Sequence, residues 1–426
     1  MPRGTHDIIV YADWKGLDEP LKLGYLHSHA QGSHEVFEFE YTAEALAHPH
    51  VIDIRLDPVL SNFGGRQFAP HDKGNFGLFL DSSPDRWGKL LMNRRLERAQ
   101  RKGDALKGLR LMESDYLLGV HDLYRLGALR FKLDEDGPFL DDDTHTAAPP
   151  FVRLRELEYA SQSFERDDAI NADSLDEWLR ILIAPGGSLG GARPKASVID
   201  PEGQLWIAKF PSIRDESDIG AWELLTYTLA EACGLHVTDA SAQKFASGSH
   251  TFMIKRFDRT AEGLRKHFAS AMTLTGHSDG DDASSGVSYL ELAQVLIDHG
   301  AQTNVDLREL WTRIVFNMCV SNTDDHLRNH GFILVPNQGW KLSEAYDMNP
   351  APHSTGLKLN VSETDNALDL ELALSVAHLF RLKNDEANTI IARVRSVVGK
   401  WRNIANGLGI SRREQEAYAP AFRLAE

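Results

Sequence analysis

The 426-residue chain holds only two cysteines, Cys233 and Cys319. Two cysteines cannot build a disulfide framework or a four-cysteine zinc site. Both sit in apolar, helical-looking contexts, AEACGL and NMCVSN, so core packing is the role expected of them. Few cysteines fit a reducing cytoplasm. No stretch approaches the ~20 apolar residues of a membrane span. The opening MPRGTHDIIVYADW lacks the continuous apolar core of a signal peptide. A cytoplasmic protein with no membrane partner is expected. Positive charge is in deficit as well: 46 Lys and Arg face 62 Asp and Glu, a net charge of −16. Phosphate binding needs clustered Lys and Arg, so a coat of nucleic acid over the whole surface is not expected, and a local basic patch stays open. Internal repeats and long low-complexity tracts are lacking. What is present is ordinary for a globular protein: 42% apolar and 25% charged residues. The length suggests two or three domains of ~100–200 residues each.

Residues 1–80 read as β-rich, with DIIVYADW and VFEFEYT as short β-branched and aromatic runs. Ser83 or Asp85 can cap the helix WGKLLMNRRLERAQ, which carries Arg86, Lys89, Arg94, Arg95, Arg98, Arg101 and Lys102. That basic set is either a solvated face or a docking surface for an acidic partner or DNA. GALRF at 127–131 reads as a strand, and the acidic, Pro-ending stretch 134–150 as a linker. ARPKASVID and QLWIAKFPS flank the turn at 201–203 as a hairpin. DIGAWELLTYTLAEACG at 218–234 is helical in pattern and closes on Gly234. HTFMIKRFDR is a strand ending in charge. Helices dominate from 287 onward, broken by the hairpin-like GFILVPNQGWKLSEAYD at 331–347.

The polar run SNTDDHLRNHGFIL at 321–334 follows an apolar helix and precedes a strand. Asp324 and Asn329 stand five apart in it, and Asp347 lies at the end of the next hairpin. Two carboxylates and an amide on neighbouring loops are hard oxygen ligands suited to Mg²⁺. An extra carboxylate can accept the proton of an attacking hydroxyl. Taken alone, a polar turn capped by Asp and Asn would look the same. His326 and His330, four apart, have zinc spacing, but Leu327 stands where a zinc protease carries Glu. Upstream, GGSLGGARPKASV at 186–198 is Gly-rich and leads into a strand. It can expose backbone N–H groups to phosphates, or be an ordinary turn. It does not match Gly-x-x-x-x-Gly-Lys-Ser/Thr, because Lys195 lies four residues past Gly191. Lys209 in WIAKFPS is a single cation in an apolar strand, and burying it unpaired is costly. Glu223, early in the next helix, is its candidate partner; the alternative is a snorkelling Lys and a solvated Glu. The serial order is Gly-rich turn, strand Lys, helix Glu, linking strand, helical half, Asp/Asn loop and Asp. It is that of a two-lobed kinase.

GGSLGGARPKA, WIAKFPS, IKRFDR, NTDDHLRNHGF and AYDMNP together resemble the HipA-type serine/threonine kinase toxins of bacterial toxin–antitoxin modules. The resemblance covers essentially the whole chain. It implies an α+β, two-lobed protein-kinase-like fold. A β-rich N-terminal subdomain would occupy 1–148, an N-lobe with the Gly-rich loop and strand lysine 149–258, and a helical C-lobe 259–426. It implies Asp324 as catalytic base, Asn329 and Asp347 as metal ligands, and Lys209 paired with Glu223 on the ATP phosphates. Lys255, Arg256, Phe257 and Asp258 would line adenine, and Gly190 and Gly191 belong to the Gly-rich loop. Ser188 matches the serine whose autophosphorylation inactivates family members; a small turn residue is the alternative. Asp325 departs from the pattern by placing a second acid beside Asp324. The implied cofactors are ATP and Mg²⁺. The implied partners are a HipB-like helix-turn-helix antitoxin, operator DNA reached through it, and a protein substrate. The family's best-known target is glutamyl-tRNA synthetase, an aminoacyl-tRNA synthetase. Two other classes stay open: a small-molecule phosphotransferase of aminoglycoside-kinase type, which would need an acidic pocket for a cationic substrate, and a catalytically silent corepressor acting with its antitoxin.

Overall fold

The structure is a computed structural model that describes residues 6–32, 34–143, 148–166, 179, 182 and 193–426. Ser188, Gly190 and Gly191 lie outside the described residues. The chain divides into two compact units. The first is Met1–Ile213 with Asp258–Ala269, and the second is Arg214–Phe257 with Ser270–Glu426.

The first unit is built on a five-stranded antiparallel sheet of order β4-β3-β2-β1-β5. Its strands are β1 (His6–Ala12), β2 (Leu21–Gln31), β3 (His34–Tyr41), β4 (Gln67–Phe68) and β5 (Leu129–Lys132). In β3 the alternation is plain: Phe37, Phe39 and Tyr41 are buried between Glu38 and Glu40. Phe39, Phe76, Phe79 and Phe131 meet edge-on or tilted beneath the sheet at centroid distances of 5.5–6.5 Å. Strand β2 was not expected, since LKLGYLHSHAQ carries a glycine and two histidines. Gly24 has a steric reason: a Cβ there would stand 2.0 Å from the Glu40 carbonyl oxygen of β3.

Helix Arg86–Lys102 starts where expected. Asp85 caps it, its Oδ1 accepting from the Gly88 N–H at 2.8 Å, and Gly103 ends it at φ 84°. The expected hairpin is β6 (Lys195–Ile199) paired with β7 (Leu205–Lys209), with Lys195 opposite Lys209. Its turn is held by Asp200 Oδ1, which accepts from the N–H groups of Glu202 and Gln204. Lys195 Nζ lies 2.7 Å from Asp85 Oδ2 with both side chains buried, and Trp87 Nε1 donates to the Lys195 carbonyl at 2.9 Å.

His267 is buried in the same unit, its ring 5.4 Å from that of Trp14. Burial pushes its pKa down to about 3. The unfolded chain therefore takes up a proton below about pH 6.5 that the folded chain refuses until about pH 3. Stability is fully present above pH 6.5 and falls by ~1.4 kcal/mol per pH unit below it. Melting curves at pH 7.5 and pH 5 are expected to differ by about 2 kcal/mol from this group. His267→Phe is expected to remove that part of the slope.

The second unit pairs β8 (Ala240–Lys244) with β9 (His250–Lys255) and packs helix Ile219–Ala232 on them. Asp218 caps that helix, and Gly234 follows it at φ 81°. The rest is mostly helical, as expected. Its buried centre is helix Thr303–Val320, flanked by Tyr289–His299 and Asn384–Val398. The hairpin Gly331–Val335 with Gly339–Leu342 interrupts the helices at the expected place. Trp222 stacks on Tyr418 and Trp401 on Phe422 at 4.1 and 4.3 Å, which ties helix Ile219–Ala232 to the chain's last residues.

Candidate active site

Helix Thr303–Val320 ends at Ser321, whose φ of 49° turns the chain out of the helix and into the polar loop. The two adjacent acids of that loop differ completely in setting. Asp324 is exposed, and its carboxylate makes no hydrogen bond among the described residues. Asp325 is buried and gathers three partners on Oδ2: the Tyr289 hydroxyl at 2.5 Å, Asn317 Nδ2 at 2.7 Å and His330 Nε2 at 2.8 Å. Burial first, and the Asp325 charge second, push the Tyr289 phenol far above its ordinary range, so it remains a donor. His330, one of the two histidines at zinc spacing, is thus bonded to this carboxylate.

Asn329 is buried. Its Nδ2 donates to the Asp324 carbonyl at 3.0 Å, and its backbone N–H to the His326 carbonyl at 2.8 Å. Its Oδ1 is buried without a hydrogen-bond partner among the described residues, an arrangement that costs free energy unless something binds there. Asp347 has φ 57°, a left-handed conformation that costs a non-glycine residue about 1–3 kcal/mol and recurs at functional sites.

Tyrosines join these pieces. The Tyr346 hydroxyl donates to the Arg328 carbonyl at 2.8 Å, and its ring lies 5.5 Å from that of Phe257. The Tyr227 hydroxyl donates to the Ala345 carbonyl at 2.7 Å. Its phenol is pushed up by burial, then by the nearby charges of Glu223 and Asp347. Within the second unit, Glu223, Phe257, the 324–329 loop and Asp347 therefore share one neighbourhood. Arg256 beside them is buried. Lys255 donates its N–H to the Asp239 carbonyl and accepts from Thr238 Oγ1. In the first unit, Lys209 ends β7, almost buried. Asp258 accepts from the Gly127 N–H at 2.9 Å and from Arg259 Nη1 at 2.6 Å.

Mg²⁺ fits this donor set. Asn329 offers an unbonded, buried amide oxygen, and Asp347 adds a carboxylate. One or two carboxylates plus phosphate oxygens are the usual company of that ion. The sequence reading missed Tyr227, Tyr289, Asn317 and Tyr346. Only Asn317 left a signal, as an amide inside the apolar helix IVFNMCV.

A cavity of about 540 Å³ opens beside the loop in the second unit, walled by Thr323, Asp282, Ser284, His353, Lys358 and Asn366 among others. Asp282 is the one carboxylate among the described residues of its lining. It accepts from the Ser284 hydroxyl and N–H at 2.6 and 2.9 Å, with Lys358 Nζ 3.5 Å away. The Ser284 hydroxyl, above all, holds its pKa below the ordinary carboxylate range.

The family model of the HipA-like C-terminal domain matches residues 187–401, just over half of the chain, and the chain belongs to that family. A "Putative kinase" of Haemophilus influenzae is 27% identical over 179 residues, 38% of this chain and 52% of that protein. "Putative kinase Y4dM" of Sinorhizobium fredii is 28% identical over 218 residues, 47% of this chain and 52% of that protein. The chain thus spans about half the length of the curated relatives it matches. The HipA of Shewanella oneidensis MR-1, solved with HipB and its operator DNA, superposes with a TM-score of 0.64 at 16% identity, over 98% of this chain and 96% of that one. That likeness shows the fold, the α+β, two-lobed kinase-like class expected from the sequence. Among the described residues, no helix is long and apolar enough to cross a membrane.

Proposed function

We propose that the chain is an ATP- and Mg²⁺-dependent protein kinase that transfers the γ-phosphoryl group to serine or threonine, acting as the toxin of a toxin–antitoxin pair. The observation that carries this reading is the partnerless, buried Asn329 Oδ1 in a loop tied through Tyr346 to the segment bearing Asp347. Asn329 and Asp347 would hold the metal, which when bound neutralises charge on the phosphates. Asp324 is the base. Its neighbour Asp325 already has three partners, whereas the Asp324 carboxylate is exposed and unbonded. Asp324 takes the proton of the acceptor hydroxyl as the new oxygen–phosphorus bond forms and the bond to the ADP oxygen breaks. Lys209 binds phosphate oxygens, Glu223 orients it, and Lys255–Asp258 lines adenine, as the resemblance implies.

The cavity beside Thr323 favours a protein acceptor over an aminoglycoside-like polycation. A polycation needs free carboxylates, and the one carboxylate of the described lining is already held by Ser284 and Lys358. The HipB and operator DNA of the Shewanella complex support a HipB-like helix-turn-helix antitoxin as the partner here, with DNA reached through it. The protein target belongs to translation, an aminoacyl-tRNA synthetase being the first to assay. The test is transfer of label from γ-labelled ATP to the chain itself and to candidate proteins, with and without Mg²⁺. Absence of any transfer, with nucleotide binding intact, would point instead to a silent corepressor.

Ser188 is the proposed autophosphorylation site. A phosphate there adds about −1.5 to −2 charge where ATP phosphates would otherwise sit. Ser188→Ala is expected to abolish self-labelling while transfer to a second protein persists, and Ser188→Glu to weaken ATP binding at least tenfold. Mass spectrometry and nucleotide titration check both.

A further inference from the structure

A line of amides in the second unit has no part in the chemistry just described. The Asn349 N–H donates to Asn322 Oδ1 at 3.1 Å, Asn322 Nδ2 donates to Asn317 Oδ1 at 3.1 Å, and Asn317 Nδ2 donates to Asp325 Oδ2 at 2.7 Å. Asn317 and Asn322 are both buried, at 3% and 1% exposure. The line begins two residues past Asp347 and ends in the loop that holds Asp324 and Asn329.

Its direction is fixed at one end. An ionised carboxylate only accepts hydrogen bonds, while an amide side chain has one donating and one accepting end. Asp325 therefore makes Asn317 present its NH₂ group, which turns the Asn317 oxygen towards Asn322. Asn322 in turn presents its NH₂ group, and its oxygen is left to receive the Asn349 N–H. Reversing either amide would set two acceptors or two donors face to face in a buried place, at about 1–3 kcal/mol for each group left unsatisfied. The Asp347 segment is thus pinned to the loop by an oriented chain in which no link is interchangeable.

We propose that Asn317 and Asn322 are positioning residues: a two-amide relay that keeps Asp347 in register with Asn329, so that the two proposed magnesium ligands stay at a fixed separation. The inference rests on the kinase reading above. Partners behind metal ligands are commonly worth 10–100-fold in metal affinity.

The experiment uses the full chain and two readouts, the Mg²⁺ dependence of self-labelling and calorimetric binding of a non-hydrolysable ATP analogue over a Mg²⁺ series. Asn322→Leu, close in size but unable to bond, is expected to raise the Mg²⁺ midpoint 10–100-fold in both readouts. Binding of the analogue without Mg²⁺ is expected to change less than twofold. Asn317→Asp sets two carboxylates together and is expected to shift the midpoint the same way. Asp325→Asn can turn its amide oxygen to Tyr289, Asn317 and His330 and so keeps an acceptor for the relay; it is expected to shift the midpoint less than Asn317→Asp does. Melting curves identify variants that do not fold, and if Asn317→Asp is among them the Asn322→Leu result decides. An unchanged midpoint in Asn322→Leu overturns the relay while the kinase reading stands. A wild-type chain that transfers no phosphate and shows no Mg²⁺-dependent nucleotide binding removes both.

Discussion

Asp324→Ala is expected to lower phosphate transfer by roughly 10²–10⁴-fold, the usual worth of a positioned base, while binding of an ATP analogue with Mg²⁺ persists. Asp347→Ala is expected to lose transfer and Mg²⁺-dependent binding together, because its carboxylate is assigned to the metal. Asp325→Ala behaves differently from its neighbour. Tyr289, Asn317 and His330 all face Asp325 Oδ2 inside the unit, so removing the carboxylate strands buried donors at about 1–3 kcal/mol each. Its first symptom is a lowered melting temperature, whereas Asp324, exposed and unbonded, can be cut back with a melting temperature close to wild type. The three variants thus separate base, ligand and anchor by labelling, calorimetry and melting. Full transfer by Asp324→Ala, or a wild-type melting temperature in Asp325→Ala, would reverse the assignment of the two acids.

Legibility in the sequence followed distance along the chain. The 324–329 loop is readable because an apolar helix ends abruptly in a run of polar residues, and Asp347 because it closes the next hairpin. The β6–β7 hairpin announces itself through its Pro-Glu-Gly turn between β-branched runs. Strand β2 hides because Gly24 and two histidines dilute its pattern. It is a strand because β1 and β3 claim its two edges, and Gly24 is there because the Glu40 carbonyl leaves no room for a side chain. Strand β8, ASAQK, has almost no apolar pattern and is held as the partner of β9. Tyr289 and Asp325 are 36 residues apart, and Tyr227 and Ala345 are 118 apart. No spacing rule connects such pairs. Each tyrosine reads as a core aromatic until its hydroxyl finds a partner from a distant turn. The two acids of Asp324-Asp325 are likewise equivalent in one dimension and are distinguished only by which of them faces Tyr289 and Asn317.

A second large loss of stability is expected from splitting the Asp85–Lys195 pair. Both side chains are almost wholly buried at 2.7 Å, so neither charge has bulk water to fall back on. Removing one partner of such a pair typically costs 3–5 kcal/mol. Lys195→Met leaves the Asp85 carboxylate in place as helix cap, still accepting from the Gly88 N–H. Asp85→Asn keeps a capping oxygen but takes away the carboxylate that lies 2.7 Å from the Lys195 ammonium. Lys195 also stands directly opposite Lys209, and like charges facing each other across two strands are destabilising. Asp85→Asn is therefore expected to be the worse single variant. At ~2–4 °C per kcal/mol for a unit of this size, the single variants would melt roughly 6–20 °C lower. The double variant Asp85→Asn/Lys195→Met removes both charges at once, retains the cap and is expected to regain most of the loss, since a buried pair replaced as a whole is often close to neutral. Its recovery in a double-mutant cycle would identify the pair as a mutual neutralisation. Additive losses would instead assign the two residues separate roles, Asp85 as helix cap and Lys195 through other contacts.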